Sequence, residues 1–449
     1  MTLDSAAPQV PTHPKGPIGD VIFGNALDYY RHRLGFIQSM VRDFGDISRY
    51  RIECDWYYLI NDPAICRSAL TDWTRIDNAM TDGWLYLDKS FLAVHGRGRA
   101  KPRSIVHAAM NPRSLAARHD AMLGAIDETV AAWEDGKVRN TLTDMMGLSL
   151  DMIAQTLIGD AAREGLAPVR EFLTNLERLA GRSHITEEER ERFSFENRRA
   201  AFVALDEAVG EIVAKAEKSP GPHTPAMTTL MEGAEGNFPE RGLVHELCVL
   251  LLSHSSTAVM ASWVWYALSN NPEVCTRVEE ELDRVLQGRA PTVEDLAELT
   301  YLDAVLKETL RLYPPVALMP RVVVEDWTCG PYHVAAGSRL HISPYLLHRH
   351  PEIWSEPEAF LPERWIEGSE HHRKVPPAAF IPFGYGVRRC IGEQLSLRQA
   401  KLMIATIASR FRLKLRAEHV VAYDASPAGV IYPHDLDLPM VVTRRGESA

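Results

Sequence analysis

Phe383-Gly384-Tyr385-Gly386-Val387-Arg388-Arg389-Cys390-Ile391-Gly392 runs straight into a helix-like segment that opens at Glu393. A lone cysteine at a helix start, flanked by glycines and preceded by a basic pair, is suited to holding an iron cofactor through sulfur. A thiolate stays charged where positive potential and backbone N–H donors surround it. The unpaired N–H groups of a helix N-terminus supply such donors. Gly386 and Gly392 would let backbone approach the sulfur with no side chain in the way. Arg388 could reach a carboxylate on the cofactor. A buried cysteine in a tight turn is the plain alternative for any single Cys, and agreement elsewhere in the chain has to separate the two.

The loop resembles the haem-binding loop of the cytochrome P450 family, F-G-x-G-x-R-x-C-x-G, filled here by Phe383, Gly384, Gly386, Arg388, Cys390 and Gly392. The resemblance implies haem b with Cys390 as the axial ligand of its iron, a thiolate that favours O–O cleavage. It also implies O2 as co-substrate and insertion of one oxygen atom into a C–H or C=C bond. Upstream, Glu308-Thr309-Leu310-Arg311 places a carboxylate and a guanidinium on one helix face, and Pro362-Glu363-Arg364-Trp365 follows later. Taken alone the first is an ordinary surface pair. In the family, E-x-x-R and P-E-R-[FW] together build a buried charged triad, here Glu308, Arg311 and Arg364.

Haem propionates require cations. Gly96 to Arg103 matches the family's G-x-x-[HW]-x-x-x-R, which makes Arg103 a propionate partner, with Arg99 standing where His or Trp is usual. Arg321 in Met319-Pro320-Arg321 and Arg388 are two further candidates. An exposed basic turn is the plain reading of Arg97 to Arg103. The family's central helix commonly carries A-G-x-[DE]-T-[TS], and the corresponding residues here are Leu252, Ser253, His254, Ser255, Ser256 and Thr257. The acid that relays protons is replaced by Ser255, and the alcohol facing dioxygen is Ser256. Serine passes a proton but is no acid near neutral pH. Hydroxylation with water or a substrate hydroxyl as relay is therefore one expectation. Peroxide use, or rearrangement or coupling of a substrate, is the alternative, and a non-catalytic haem sensor or carrier is a third.

The remaining composition agrees with a soluble globular chain: 449 residues, 46% apolar, 24% charged. A net charge of −11 argues against nucleic acid as partner. Residues 1–19 hold no apolar run near the ~20 residues needed to cross a bilayer, so the expectation is a cytoplasmic monomer without a membrane anchor. Six scattered cysteines suggest neither disulfides nor a metal cluster. His348-Arg349-His350 and His371-His372 read as solvated surface. No flavin or iron–sulfur signature is seen, so electrons would come from a ferredoxin or flavodoxin with its reductase.

The expected fold class is mostly α with a smaller β-rich region, a cytochrome P450 fold with haem between the long central helix and the cysteine loop. Residues 1–19 are expected as a flexible segment and 20–449 as a single domain. Strands are expected at Ile47–Ile52 and Trp56–Ile60, nearly continuous helix from about 114 to 313, and one long apolar helix over about 239–270. Met146, Leu150, Ile153 and Leu157 form a helical stripe. By resemblance, Trp84, Tyr86, Leu87, Leu252, Val316, Leu318 and Ile431 line an apolar substrate pocket suited to a hydrophobic natural product, a terpenoid before a polyketide.

Overall fold

Ile47–Ile52 (β1) and Asp55–Ile60 (β2) are joined by a two-residue turn whose Glu53 adopts φ 52°. Their antiparallel register pairs Ile47 with Ile60 and Ile52 with Asp55. The computed structural model describes residues 13–79, 87–90, 100–111, 116–159, 166, 167, 169, 170, 195–218, 223–426 and 429–446. The chain divides into two compact units, each assembled from separated stretches.

The first unit comprises residues 1–79, 316–357 and 375–389. Ile76–Asn78 (β3), Met319–Val323 (β4) and Arg339–Ile342 (β5) complete a five-stranded sheet in the order β1-β2-β5-β4-β3, with only the β2–β5 pair parallel. Pro63–Thr71 (α1) starts where Asp62 accepts the Ile65 N–H at 2.8 Å and Pro63 fills the first turn. Cys66, Leu70, Ile342, Leu347 and Ile381 lie in one buried cluster. Hydrogen-bonded structure already begins at Lys15, whose carbonyl accepts the Arg49 N–H at 3.0 Å, ahead of the boundary expected at residue 20. Residues 1–12 lie outside the described residues. The histidine group at 348–350 is not solvated surface as expected. His348 is fully buried and accepts the Ile381 N–H at 2.9 Å, and His350 faces Asp46 at 3.4 Å. The reason is that both follow the short buried helix Pro344–Leu347, which turns their rings inward.

The second unit comprises residues 80–315, 358–374 and 390–449. Its helices include Ala100–Ala109 (α2), Thr141–Leu157 (α3), Phe195–Lys218 (α4), Gly242–Leu252 (α5), His254–Asn270 (α6), Thr300–Leu312 (α7) and Glu393–Ala408 (α8). The Met146, Leu150, Ile153 and Leu157 stripe of α3 is buried, and α3 packs on α6. The helical tract is interrupted by the short strand Val138–Asn140, which pairs with Pro439–Arg444, itself paired with Phe411–Leu415. The most apolar 18-residue stretch within Gly242–Asn270 is 78% buried inside the protein, as a core helix would be.

That segment is not one uninterrupted helix. It starts at Gly242, after Arg241 in the left-handed region (φ 60°), and breaks at Ser253. Four consecutive side chains there reach back three residues to carbonyls. Ser253 Oγ bonds Leu250 O at 2.6 Å, His254 Nδ1 bonds Leu251 O at 2.8 Å, Ser255 Oγ bonds Leu252 O at 3.4 Å and Ser256 Oγ bonds Ser253 O at 2.9 Å. Such side chains compete with the helical ladder and bend it.

Candidate active site

Cys390 lies three residues before the start of α8 and is solvent-exposed. Its sulfur accepts the N–H groups of Gly392 and Glu393, which lower the thiol pKa, as does the positive charge of Arg103 on α2. Burial outweighs them and raises the pKa, with the Glu393 carboxylate adding to the rise. The glycines act differently from the sequence expectation. A Cβ on Gly392 would sit 3.8 Å from the sulfur, an ordinary contact, so glycine is not required there. Gly386 (φ 69°) is required by the carbonyl of Leu70 on α1, which a Cβ would approach to 2.3 Å.

The three described arginines differ in how their charge is met. Arg103 lies on α2 and acts on the Cys390 sulfur. In the first unit, Arg388 forms an ion pair with the buried Asp77 on β3, so its charge is already partly met by protein. Its Nε is buried with no hydrogen bond. Arg321 on β4 donates only to the Pro320 carbonyl, at 2.8 Å, and meets no carboxylate among the described residues. Burial lowers its pKa to about 10. A crowded guanidinium without a counterion suits an anionic group such as a haem propionate. Arg99 lies outside the described residues. Phe383 and Gly384 are partly buried in the first unit, with Gly384 at φ 74°.

Glu308, Arg311 and Arg364 come together in the second unit, with the Glu308 and Arg311 side chains fully buried. Arg311 donates Nε to Glu308 Oε2 at 2.9 Å and Nη2 to Oε1 at 2.8 Å, and Arg364 donates Nε to Oε1 at 3.2 Å. Two further donors were not anticipated: the Leu361 N–H at 2.9 Å and the Trp365 indole at 3.0 Å. The Trp365 signal was present in the sequence as the residue ending Pro-Glu-Arg-Trp. Arg311 also donates to the Ala359 carbonyl at 2.8 Å.

Of the three consecutive alcohols at 255–257, Ser255 and Ser256 are partly buried and already donate to backbone. Thr257 bonds a side chain instead. It is buried and donates to Ser396 Oγ on α8 at 2.9 Å, tying the central helix to the helix that follows Cys390. One residue along a helix turns by about 100°, which carries Thr257 away from its neighbours.

The expected pocket residues fall into separate sets. Leu87 is fully buried in one cluster with Leu247, Cys248 and Leu251, against which Leu252 and Ile391 pack. Ile391 is the chain neighbour of Cys390. Ile431 is buried and hydrogen-bonded to the Pro315 carbonyl at 2.9 Å. Val316 and Leu318 belong to the first unit, Val316 against the sheet core and Leu318 buried. Trp84 and Tyr86 lie outside the described residues. Surface grooves of about 620 Å³ beside Arg277 and Tyr301, and about 630 Å³ beside Val213 and Phe238, are lined by none of the expected cofactor or pocket residues.

A family model described as Cytochrome P450 matches residues 14–437. The chain is 29% identical over 431 residues to cyclooctat-9-en-7-ol 5-monooxygenase of Streptomyces melanosporofaciens, covering 91% of this chain and 92% of that protein. It is 26% identical over 441 residues to pentalenene oxygenase of Streptomyces avermitilis, covering 95% and 96%. Its fold matches the retinoic acid-bound cyanobacterial CYP120A1 with a TM-score of 0.83 at 20% identity, covering 96% of this chain and 99% of that one.

Proposed function

The chain belongs to the cytochrome P450 family, and from that premise we propose that it is a haem-thiolate monooxygenase acting on an apolar terpenoid. The observation that carries the reading is Cys390, a thiol with two backbone N–H donors and the charge of Arg103 directed at it. These groups fit a thiolate ligand of haem b, and the uncompensated Arg321 fits a propionate. When bound, the haem supplies the activation of O2. Arg103 would meet a haem carboxylate, and Cys390 would hold the iron. The terpenoid assignment draws on the apolar set around Leu87 and Leu252 and on relatives named for cyclooctatin and pentalenene chemistry. Electrons arrive from a ferredoxin or flavodoxin with its reductase, and the protein works in the cytoplasm.

Ser255 and Ser256 each spend their proton on a backbone carbonyl and keep lone pairs for an incoming donor. They accept from water or a substrate hydroxyl, and either serine must rotate off its carbonyl to pass a proton onward. The missing carboxylic acid favours a second reading, in which a peroxide-using or rearranging reaction needs less proton delivery. The test is the carbon monoxide spectrum of the dithionite-reduced protein, then turnover of a cyclic sesquiterpene or diterpene with O2 and an added ferredoxin system. A strongly red-shifted Soret band with reductant-dependent product upholds the first reading. Product with peroxide alone, and none with reductant, replaces it with the second. A Soret band typical of histidine ligation removes both.

A further inference from the structure

His245 stands in the first turn of α5, 7% exposed, where three segments of the second unit converge. Its Nδ1 accepts the backbone N–H of Lys89 at 3.1 Å, and its Nε2 lies 3.3 Å from Asp206 Oδ1 on α4. Accepting at Nδ1 places the ring proton on Nε2, directed at Asp206. Asp206 is held in turn by Arg241, whose Nε reaches Oδ1 at 3.3 Å and whose Nη2 donates to the Asp206 carbonyl at 2.9 Å. Asp88 Oδ1 waits 3.8 Å from Nδ1, its other oxygen bound by Lys89 Nζ at 2.9 Å. The Leu87 carbonyl also faces the ring. The segment so tied, Leu87–Ser90, is a single turn closed by the Ser90 N–H on the Leu87 carbonyl at 3.0 Å.

We propose that His245 is a positioning residue: its neutral ring pins the Leu87–Ser90 turn to α5 and α4, so fixing where Leu87 meets the substrate, and protonation releases the turn. The substrate half of this rests on Leu87 lining the pocket of a haem-thiolate enzyme, as proposed above. A second ring proton at Nδ1 would confront the Lys89 N–H and break that bond, while offering a donor to Asp88 or to the Leu87 carbonyl. Asp88 and Asp206 favour the charged ring, Arg241 opposes it, and burial is the largest influence, lowering the pKa below the ordinary histidine value. A group with a depressed folded pKa binds fewer protons folded than free, so the latch is intact above about pH 6.5 and weakens as pH falls below it.

The deciding experiment is amide hydrogen exchange over residues 87–90 of the haem-loaded protein, as protection relative to intrinsic rates, from about pH 8 to about pH 5. Protection of the Lys89 amide should fall about tenfold or more on acidification in the wild type. His245→Asn retains an acceptor that does not titrate, and should hold protection across the range. His245→Leu should lose it at every pH. At a fixed pH near 7.5, 4-phenylimidazole binding read from the Soret shift should weaken about tenfold in His245→Leu and about twofold or less in His245→Asn. A wild-type Lys89 amide that is unprotected, or equally protected at both ends of the range, overturns the proposal. So does a His245→Leu protein that matches the wild type in exchange and azole affinity. A reduced carbon monoxide complex without the red-shifted band counts against the haem-thiolate reading alone, because the exchange result still decides the latch.

Discussion

Glu308 and Cys390 are both polar groups set into the second unit, and both face arginine, but they are completed in opposite ways. Each Glu308 oxygen meets donors from the protein itself: Arg311, Arg364, the Leu361 N–H and the Trp365 indole. Cys390 has two backbone N–H groups and a nearby cation, yet the residue is solvent-exposed and burial of the thiol still raises its pKa. The first centre is closed and can only hold the fold together. The second is unfinished in protein terms, as a site built for something else must be. Arg321 and Arg388 repeat the contrast in the first unit, since Asp77 completes Arg388 and nothing described completes Arg321.

The sharpest way to break that contrast is at the sulfur. Cys390→Ala should abolish the red-shifted carbon monoxide band and reduce turnover to background, while leaving a folded protein by circular dichroism. Loss of fold instead would mean that Cys390 is structural. Arg311→Ala attacks the closed centre and leaves the Glu308 carboxylate buried and under-paired, at a cost of about 3–5 kcal/mol. It should show as a lower denaturation midpoint together with failure to retain haem, and normal haem content would refute it.

Arg321→Leu should act with opposite signs on the two forms. Removing a crowded, uncompensated cation raises the midpoint of the haem-free protein. Losing a charge-assisted bond of about 1.5–3 kcal/mol weakens haem retention about ten- to hundredfold. If both forms change in the same direction, Arg321 does not meet a propionate.

Smaller effects are expected along the broken helix. Ser255→Asp should raise the ratio of product to released peroxide severalfold if proton delivery limits the wild type, and an unchanged ratio would show that another relay suffices. Thr257→Val removes the bond to Ser396, costing about 0.5–1.5 kcal/mol of stability, and should leave that ratio alone. A shift in the ratio would return Thr257 to the oxygen-handling site.

Much of the fold and site was legible because it depends on short-range pattern. β1 and β2, the buried stripe of α3, the α5–α6 apolar segment and the four family motifs each occupy a few neighbouring residues. What escaped involved partners far apart in sequence. Asp77 taking Arg388, Trp365 closing on Glu308, Ser396 receiving Thr257 and the inward histidines at 348 and 350 carry no local signature. The break at Ser253 was readable in principle, since 253–256 are all short polar or histidine side chains able to reach back along a helix.

By itself the sequence determined the family and the residues of the charged triad, and singled out the cysteine proposed to hold iron, because identity at fixed spacing is a one-dimensional property. Only the tertiary structure decided which cations are already neutralised, which hydroxyls are already spent and which histidine joins three segments. Those are matters of who stands within about 3 Å of whom, and that distance is set when separated stretches pack together.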